Sequence, residues 1–253
     1  MTEARQEFCF AAAGGGRDDI VVGGIRKLTL LDYPGKTAAT LFLAGCNLRC
    51  PFCHNAPLVL CPEGVEKIDT DSVFAFLKKR RGLLDGVCIT GGEPTLDPGL
   101  LWLAREIKQL GYLVKVDTNG TRPEVLRGLI DGGCVDYIAM DIKNSSEKYA
   151  MTVGVQDFDI RPVEESAALL IERGEGGRFD YEFRTTVVRG LHEAQDFHEI
   201  GSWLKGAKRY FLQAFVDSGS LIVPGPGGFG REKMKKFLEI ARHYIPEAEI
   251  RGI

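Results

Sequence analysis

The sequence predicts an α/β protein built as a partial TIM-type barrel, a (β/α)6 array of parallel strands with helices outside. Three observations carry this expectation. Short β-rich runs alternate with amphipathic helical segments, as βα units on a parallel sheet require. Several of those runs are apolar almost throughout, the pattern of strands covered on both faces. Six units can be counted, too few for a closed eight-stranded barrel, so an incomplete one is expected.

The first 22 residues include Ala11-Ala12-Ala13-Gly14-Gly15-Gly16, a tract with little to pack and much backbone entropy to lose. They read as a poorly ordered extension (1–22), leaving a single domain over 23–253. Strands are expected at Ala38 to Leu43, Gly86 to Thr90, Tyr112 to Asp117, Val135 to Asp141, Tyr181 to Val188 and Arg209 to Phe215. The clearest helix runs from Asp97 to Leu110: Asp97 can cap it, Pro98 suits its first position, Leu100, Leu103, Ala104, Ile107 and Leu110 share a face, and Gly111 stops it. Weaker helical patterns cover Thr70 to Arg81, Pro123 to Ile130, Pro162 to Arg173, Glu193 to Leu204 and Arg231 to Tyr244.

With 253 residues, 44% hydrophobic and 26% charged, the chain can bury one large core. A formal net charge of -3 argues against a nucleic-acid or membrane-surface binder, which usually carries a positive excess on one face. The dense cationic run Lys78-Lys79-Arg80-Arg81 sits at a helix end before Gly82, where positive charge complements the helix dipole. No stretch of 18 apolar residues and no secretory signal is seen, so a cytoplasmic location is expected. In a reducing compartment the seven cysteines read as thiols or metal ligands, and the odd count agrees.

Three of them, Cys46, Cys50 and Cys53, lie within eight residues directly after the first expected strand. One loop can aim all three sulfurs at one point. A cubane cluster normally takes four thiolates, so three leave one iron without a protein ligand, the open position a catalytic metal needs. A zinc site would need a fourth ligand, and the adjacent His54 is poorly placed to supply it. A ferredoxin run would show further cysteines in a Cys-x2-Cys-x2-Cys rhythm. Cys88 and Cys134 read as small buried hydrophobes, and neither Cys9 nor Cys61 has metal-ligand spacing.

The Cys-x3-Cys-x2-Cys spacing, with an aromatic (Phe52) before the third cysteine, resembles the signature of the radical S-adenosylmethionine (SAM) superfamily. The segments Gly24-Ile25-Arg26-Lys27, Leu30-Leu31-Asp32-Tyr33-Pro34-Gly35-Lys36 and Cys53-His54-Asn55 are similar to those of activating proteins for the anaerobic ribonucleoside-triphosphate reductase, a glycyl-radical enzyme. The resemblance implies a radical SAM core with a 4Fe-4S cluster and SAM as cofactors. By the same resemblance Gly91, Gly92 and Glu93, in Thr90-Gly91-Gly92-Glu93-Pro94, meet the amino group of SAM; from chemistry alone, exposed glycine carbonyls and a carboxylate can accept from an ammonium. Asp117 and Asn119, in Asp117-Thr118-Asn119-Gly120, and the pair Asp141 and Lys143 correspond to groups lining the SAM pocket. The carboxylates there would bind SAM or a monovalent cation, and Lys143 the polar groups of the ligand. All lie at carboxyl ends of expected strands, where barrel enzymes gather their chemistry.

Arg184 can pair with a carboxylate through its guanidinium fork, and a structural ion pair explains it equally well. Gln213 is a weaker ribose or adenine candidate, since the histidine some related activases carry near this region is missing from Gln213-Ala214-Phe215. The gap between Cys53 and Gly91 holds too few cysteines for the ferredoxin-like module of many such activases. The implied activity is reductive cleavage of SAM to a 5′-deoxyadenosyl radical, fed by a one-electron donor such as flavodoxin or ferredoxin, and formation of a glycyl radical on the reductase. Rival readings are a radical SAM reaction on another peptide or a small molecule, and a non-catalytic electron-transfer or zinc-binding protein.

Overall fold

The computed structural model describes residues 16–17, 20–217, 219 and 221–253. Its framework is one sheet of eight strands in chain order. The first, β1 (Val22–Thr29), runs antiparallel to β2 (Ala38–Leu43). From β2 onward each neighbour is parallel: β3 (Gly86–Gly91), β4 (Leu113–Thr118), β5 (Tyr137–Asp141), β6 (Asp180–Val187), β7 (Tyr210–Ala214) and β8 (Ala248–Arg251). The six expected strands are β2 to β7, each within two residues of its expected ends. Two edge strands join them, so the sheet has eight strands rather than six. The sequence Val-Gly-Gly-Ile-Arg-Lys-Leu-Thr of β1 has neither an apolar run nor strict alternation, and β8 is only four residues long, which explains why periodicity passed over both.

Helices fill the crossovers. A short α1 (Ala56–Leu60) follows the cysteine loop, and α2 (Thr70–Lys79) leads into β3. Then come α3 (Leu100–Gln109), α4 (Pro123–Asp131), α5 (Tyr149–Val153), α6 (Arg161–Gly174), α7 (Ala194–Trp203) and α8 (Arg231–Tyr244). The expected start of α3 is corrected: it begins at Leu100, with Gly99 in the cap position. The Asp97 carboxylate instead accepts from the backbone N–H of Gly99 (2.9 Å) and of Val21 (3.2 Å), tying the incoming chain to this turn. The end is as expected, Gly111 turning the chain at φ +90°. Lys78 and Lys79 occupy the last turn of α2, consistent with the dipole reading.

Because side chains alternate along a strand, the sheet has two different faces. Leu41, Ile89, Val116, Met140, Phe183 and Leu212 join the large core beneath the helices, with Leu103, Leu126, Leu170 and Phe237 packed on them. The inner face of the curved sheet carries Thr40, Cys88, Lys115, Asp117, Asp141, Glu182 and Arg184, a mostly polar set. Ile20 is 9% exposed and belongs to the core, and the boundary expected at residue 23 falls inside β1. Residues 1–15, 18 and 19 of the expected extension lie outside the described residues. No helix among the described residues is long and apolar enough to cross a membrane.

Candidate functional site

The chain leaves β2 at Leu43 and turns at Gly45 (φ +91°) into the loop that carries the three cysteines. That loop is held by its own backbone. Cys53 N–H donates to Cys50 O (3.0 Å), Leu48 N–H to Cys46 Sγ (3.4 Å), and Arg49 N–H to Val153 O at the end of α5 (2.8 Å). The Arg49 guanidinium donates to the carbonyls of Cys46 (2.7 Å) and Leu48 (2.9 Å), closing the loop into a compact turn. Burial pushes the Cys46 thiol up to about 12 and the Cys50 thiol up to about 11, so both are neutral without a metal and lose a proton to one. Phe52 is buried in the core and anchors the loop. His54 also lines the cavity, with Nε2 2.8 Å from Val216 O and its ring stacked on Phe215.

The end of β3 packs directly against this loop. A Cβ on Gly92 would collide with the carbonyl of Gly45, and one on Gly91 with the backbone of Leu43. Those glycines are therefore required by the approach of two protein backbones, whatever ligand they also meet. Gly92 N–H donates to Leu43 O (2.9 Å), Glu93 N–H to Gly45 O (2.8 Å), and the Gly91 carbonyl accepts from Asn55 Nδ2 (2.6 Å). Glu93, 1% exposed, has four protein donors. Its Oε1 accepts from Thr95 N–H (3.1 Å), Thr95 Oγ1 (2.5 Å) and Thr118 Oγ1 (2.8 Å); its Oε2 accepts from Asn119 N–H (2.6 Å). This carboxylate staples the end of β3 to the end of β4, with one lone pair of Oε2 left over. Burial outweighs those hydrogen bonds and raises its pKa. Asn119 extends the staple: its Nδ2 donates to Asn47 Oδ1 (2.9 Å) and lies 3.9 Å from Cys46 Sγ.

Across the inner face runs a chain of ions from β4, β5 and β6. Lys115 pairs with Asp117, Arg184 Nη1 lies 3.4 Å from Asp117 Oδ2, Arg184 Nε donates to Asp141 Oδ1 (2.8 Å), and Lys143 Nζ donates to Asp141 Oδ2 (2.9 Å). The structural ion pair considered for Arg184 is thus present twice over. Burial alone would raise Asp117 and Asp141, but Arg184 with Lys115 or Lys143 more than offsets it, and Asp141 is held at about 2. The sign follows: Asp141 stabilises the fold above its unfolded value of 3.8, and that contribution is lost as pH falls toward 2. In denaturant titrations stepped from about pH 5 to about pH 2, Asp141→Asn is expected to be less stable at the top of that range and to show a shallower acid loss. A wild-type slope in the variant would show that this carboxylate is not so held.

All twelve expected site residues, Cys46, Cys50, Phe52, Cys53, Gly91, Gly92, Glu93, Asp117, Asn119, Asp141, Lys143 and Arg184, line one cavity of about 230 Å³ at the carboxyl ends of the parallel strands. Gln213 lines it too. Asn55 and Thr186 also line it and were not singled out from sequence; alternation along β6 from Arg184 could have found Thr186. Lys115, two residues before Asp117 on the same face, was missed in the same way.

Residues 40–200 match the Radical SAM superfamily. A protein of Methanocaldococcus jannaschii, named provisionally as a glycyl-radical enzyme activating enzyme, is 34% identical over 242 residues, spanning 92% of this chain and 96% of its own. The 7-carboxy-7-deazaguanine synthase of Thermococcus kodakarensis is 28% identical over 71% of this chain and 74% of its own. Among solved structures, Streptococcus suis SuiB superposes with a TM-score of 0.65 at 14% identity, covering 83% of this chain and 47% of its own length. A radical SAM methyltransferase from Sphaerobacter thermophilus gives 0.62 at 17% identity, covering 88% and 68%. These structural likenesses concern the fold. The chain belongs to the radical SAM superfamily, and it is a radical SAM enzyme. Membership implies a 4Fe-4S cluster and SAM. The residues present fit both: three thiols share one cavity with carboxylates and cations of the inner face, and the His54 ring that also lines it lies against the Val216 carbonyl.

Proposed function

We propose that this enzyme is an activase that generates a glycyl radical on an anaerobic ribonucleoside-triphosphate reductase. Cys46, Cys50 and Cys53 hold the cluster, and SAM lies in the adjoining cavity. When bound, cluster and SAM together supply reductive cleavage of a carbon–sulfur bond and a hydrogen-abstracting carbon radical. The electron comes from a small carrier of the flavodoxin or ferredoxin class. The observation carrying this reading is the convergence of three thiols and the ion chain on a single cavity, in a chain that is 34% identical to an activating-enzyme relative over nearly its whole length.

The geometry supports the following roles for the chain's own residues. Glu93 and Asn119 fix the cysteine loop relative to β3 and β4, and the remaining lone pair of Glu93 Oε2 accepts from the SAM amino group. In the ion chain itself three cations face two carboxylates, and the two of those cations that line the cavity, Lys143 and Arg184, can meet a carboxylate. Lys143 and Arg184 therefore receive the SAM carboxylate, while Asp117 and Asp141 orient them. Thr186 and Gln213 offer polar contacts to the adenosine part. Burial of the cavity floor keeps water from the reacting atoms.

The test is electron paramagnetic resonance on an anaerobic mixture of the reconstituted protein, SAM, a strong reductant and a candidate reductase. A glycyl doublet that requires Cys46, Cys50 and Cys53 is the expected result. Formation of 5′-deoxyadenosine without a glycyl signal with any candidate reductase would move the substrate to a small molecule or another peptide, the reading favoured by similarity to the deazaguanine synthase. No deoxyadenosine with a fully loaded cluster would overturn the chemistry itself.

A further inference from the structure

Lys143 is fixed by its backbone as well as by its ion pair. Its N–H donates to Tyr149 Oη (3.3 Å), and its carbonyl lies 2.9 Å from Nε2 of His192. His192 belongs to the next βα unit, in the turn between β6 and α7, and is 1% exposed. The backbone N–H of Val188 points at His192 Nδ1 (3.1 Å), and a backbone N–H can only donate. Nδ1 is thus an acceptor, and the ring proton sits on Nε2, aimed at the Lys143 carbonyl. The Val188 carbonyl is 3.3 Å from the same Nδ1, but a proton there would confront the Val188 N–H. Burial holds the imidazole below its ordinary value, with smaller opposing contributions from Asp196 and Lys148, in keeping with a neutral ring.

We infer that His192 is a positioning residue for the SAM cavity: through Nε2–H it holds the Lys143 peptide, and so fixes the Lys143 ammonium beside Asp141, where the ligand carboxylate is received. The inference rests on the proposed role of Lys143. The two loops are also joined elsewhere, by Asn144 Nδ2 donating to Leu191 O (2.9 Å) and Ser145 Oγ donating to Asp196 Oδ1 (2.8 Å). Losing the His192 bond therefore tilts one peptide while the loops stay docked.

Two substitutions separate the two bonds of the ring. Asparagine can accept from Val188 N–H but is too short to reach the Lys143 carbonyl, whereas glutamine carries an amide N–H to about the position of Nε2. SAM affinity of the cluster-loaded protein is measured by calorimetry, with melting of the cluster-free protein alongside. His192→Asn is expected to weaken SAM binding roughly five- to tenfold, the worth of one hydrogen bond, and His192→Gln by less than about twofold. In a Lys143→Met background His192→Asn should add nothing. Unchanged affinity in His192→Asn, equal losses in both variants, or additive losses with Lys143→Met would each overturn the inference. Wild-type affinity in Lys143→Met alone would instead remove the role of Lys143. Should His192→Asn not fold, nitrogen NMR of the wild-type imidazole decides: a proton on Nε2 near neutral pH supports the clamp, and one on Nδ1 overturns it.

Discussion

A Cys53→Ala protein is expected to fold and yet to form no 5′-deoxyadenosine from SAM, and the same holds for Cys46→Ala and Cys50→Ala. The two parts of this expectation have separate physical origins. Replacing a thiol by a methyl group in a loop already held by its own backbone bonds removes little buried surface, of order 1 kcal/mol, which in a chain of this size lowers the melting temperature of the cluster-free protein by about 2 to 4 °C. The cluster, however, loses one of its three ligands, and among the described residues no fourth cysteine lines the cavity. Cys61, exposed and outside the cavity, provides the comparison: Cys61→Ala should keep the cluster's absorbance and full SAM cleavage. Optical titration of iron and sulfide into each variant, with product quantified by chromatography, checks both parts. A Cys53→Ala enzyme that still cleaved SAM at the wild-type rate would remove the thiol loop from the mechanism.

What could be read from sequence was what lies close together in it. The six expected strands, the thiol loop and Gly91-Gly92-Glu93 are each written in a few consecutive residues, because a strand needs only a periodicity and a loop ligand set only a spacing. The edge strands escaped notice since β1 contains two glycines and exposed basic residues, and β8 is too short to show a period. Relations between strands were less legible. For Glu93 the sequence offered an acceptor for an amino group and gave no sign of its four protein donors, the Thr95 backbone and hydroxyl, the Thr118 hydroxyl and the Asn119 backbone. Gly92 was read for the carbonyl it offers a ligand, and the structure adds that the Gly45 backbone leaves no space there for a Cβ. The link from Lys115 through Asp117 and Arg184 to Asp141 depends on the register of β4, β5 and β6, which no local pattern encodes.

That link yields the expectation with the largest effect on stability. Lys115 is buried in the barrel interior, 1% exposed, paired with Asp117 and close to the Tyr137 ring (6.0 Å) and Cys88 Sγ (3.8 Å). Removing one partner of a buried pair leaves the other's desolvation unanswered, so Lys115→Met is expected to cost about 3 to 5 kcal/mol, or roughly 10 °C in melting temperature. Arg184, 3.4 Å from Asp117 and already bonded to Asp141, can answer only part of it. Lys115→Met with Asp117→Asn removes both charges and should regain most of the loss, since a neutral pair of similar volume carries no such penalty. The same two proteins report on charge at the cavity. The single variant brings the ion chain to neutrality and should weaken SAM binding, whereas the double variant restores one excess positive charge and should recover it. Urea unfolding and SAM calorimetry on the two proteins measure both effects. If Lys115→Met proved as stable as the wild type, the buried pair would not be holding Asp117; if the double variant bound SAM no better than the single one, the excess charge would not be what draws the carboxylate in.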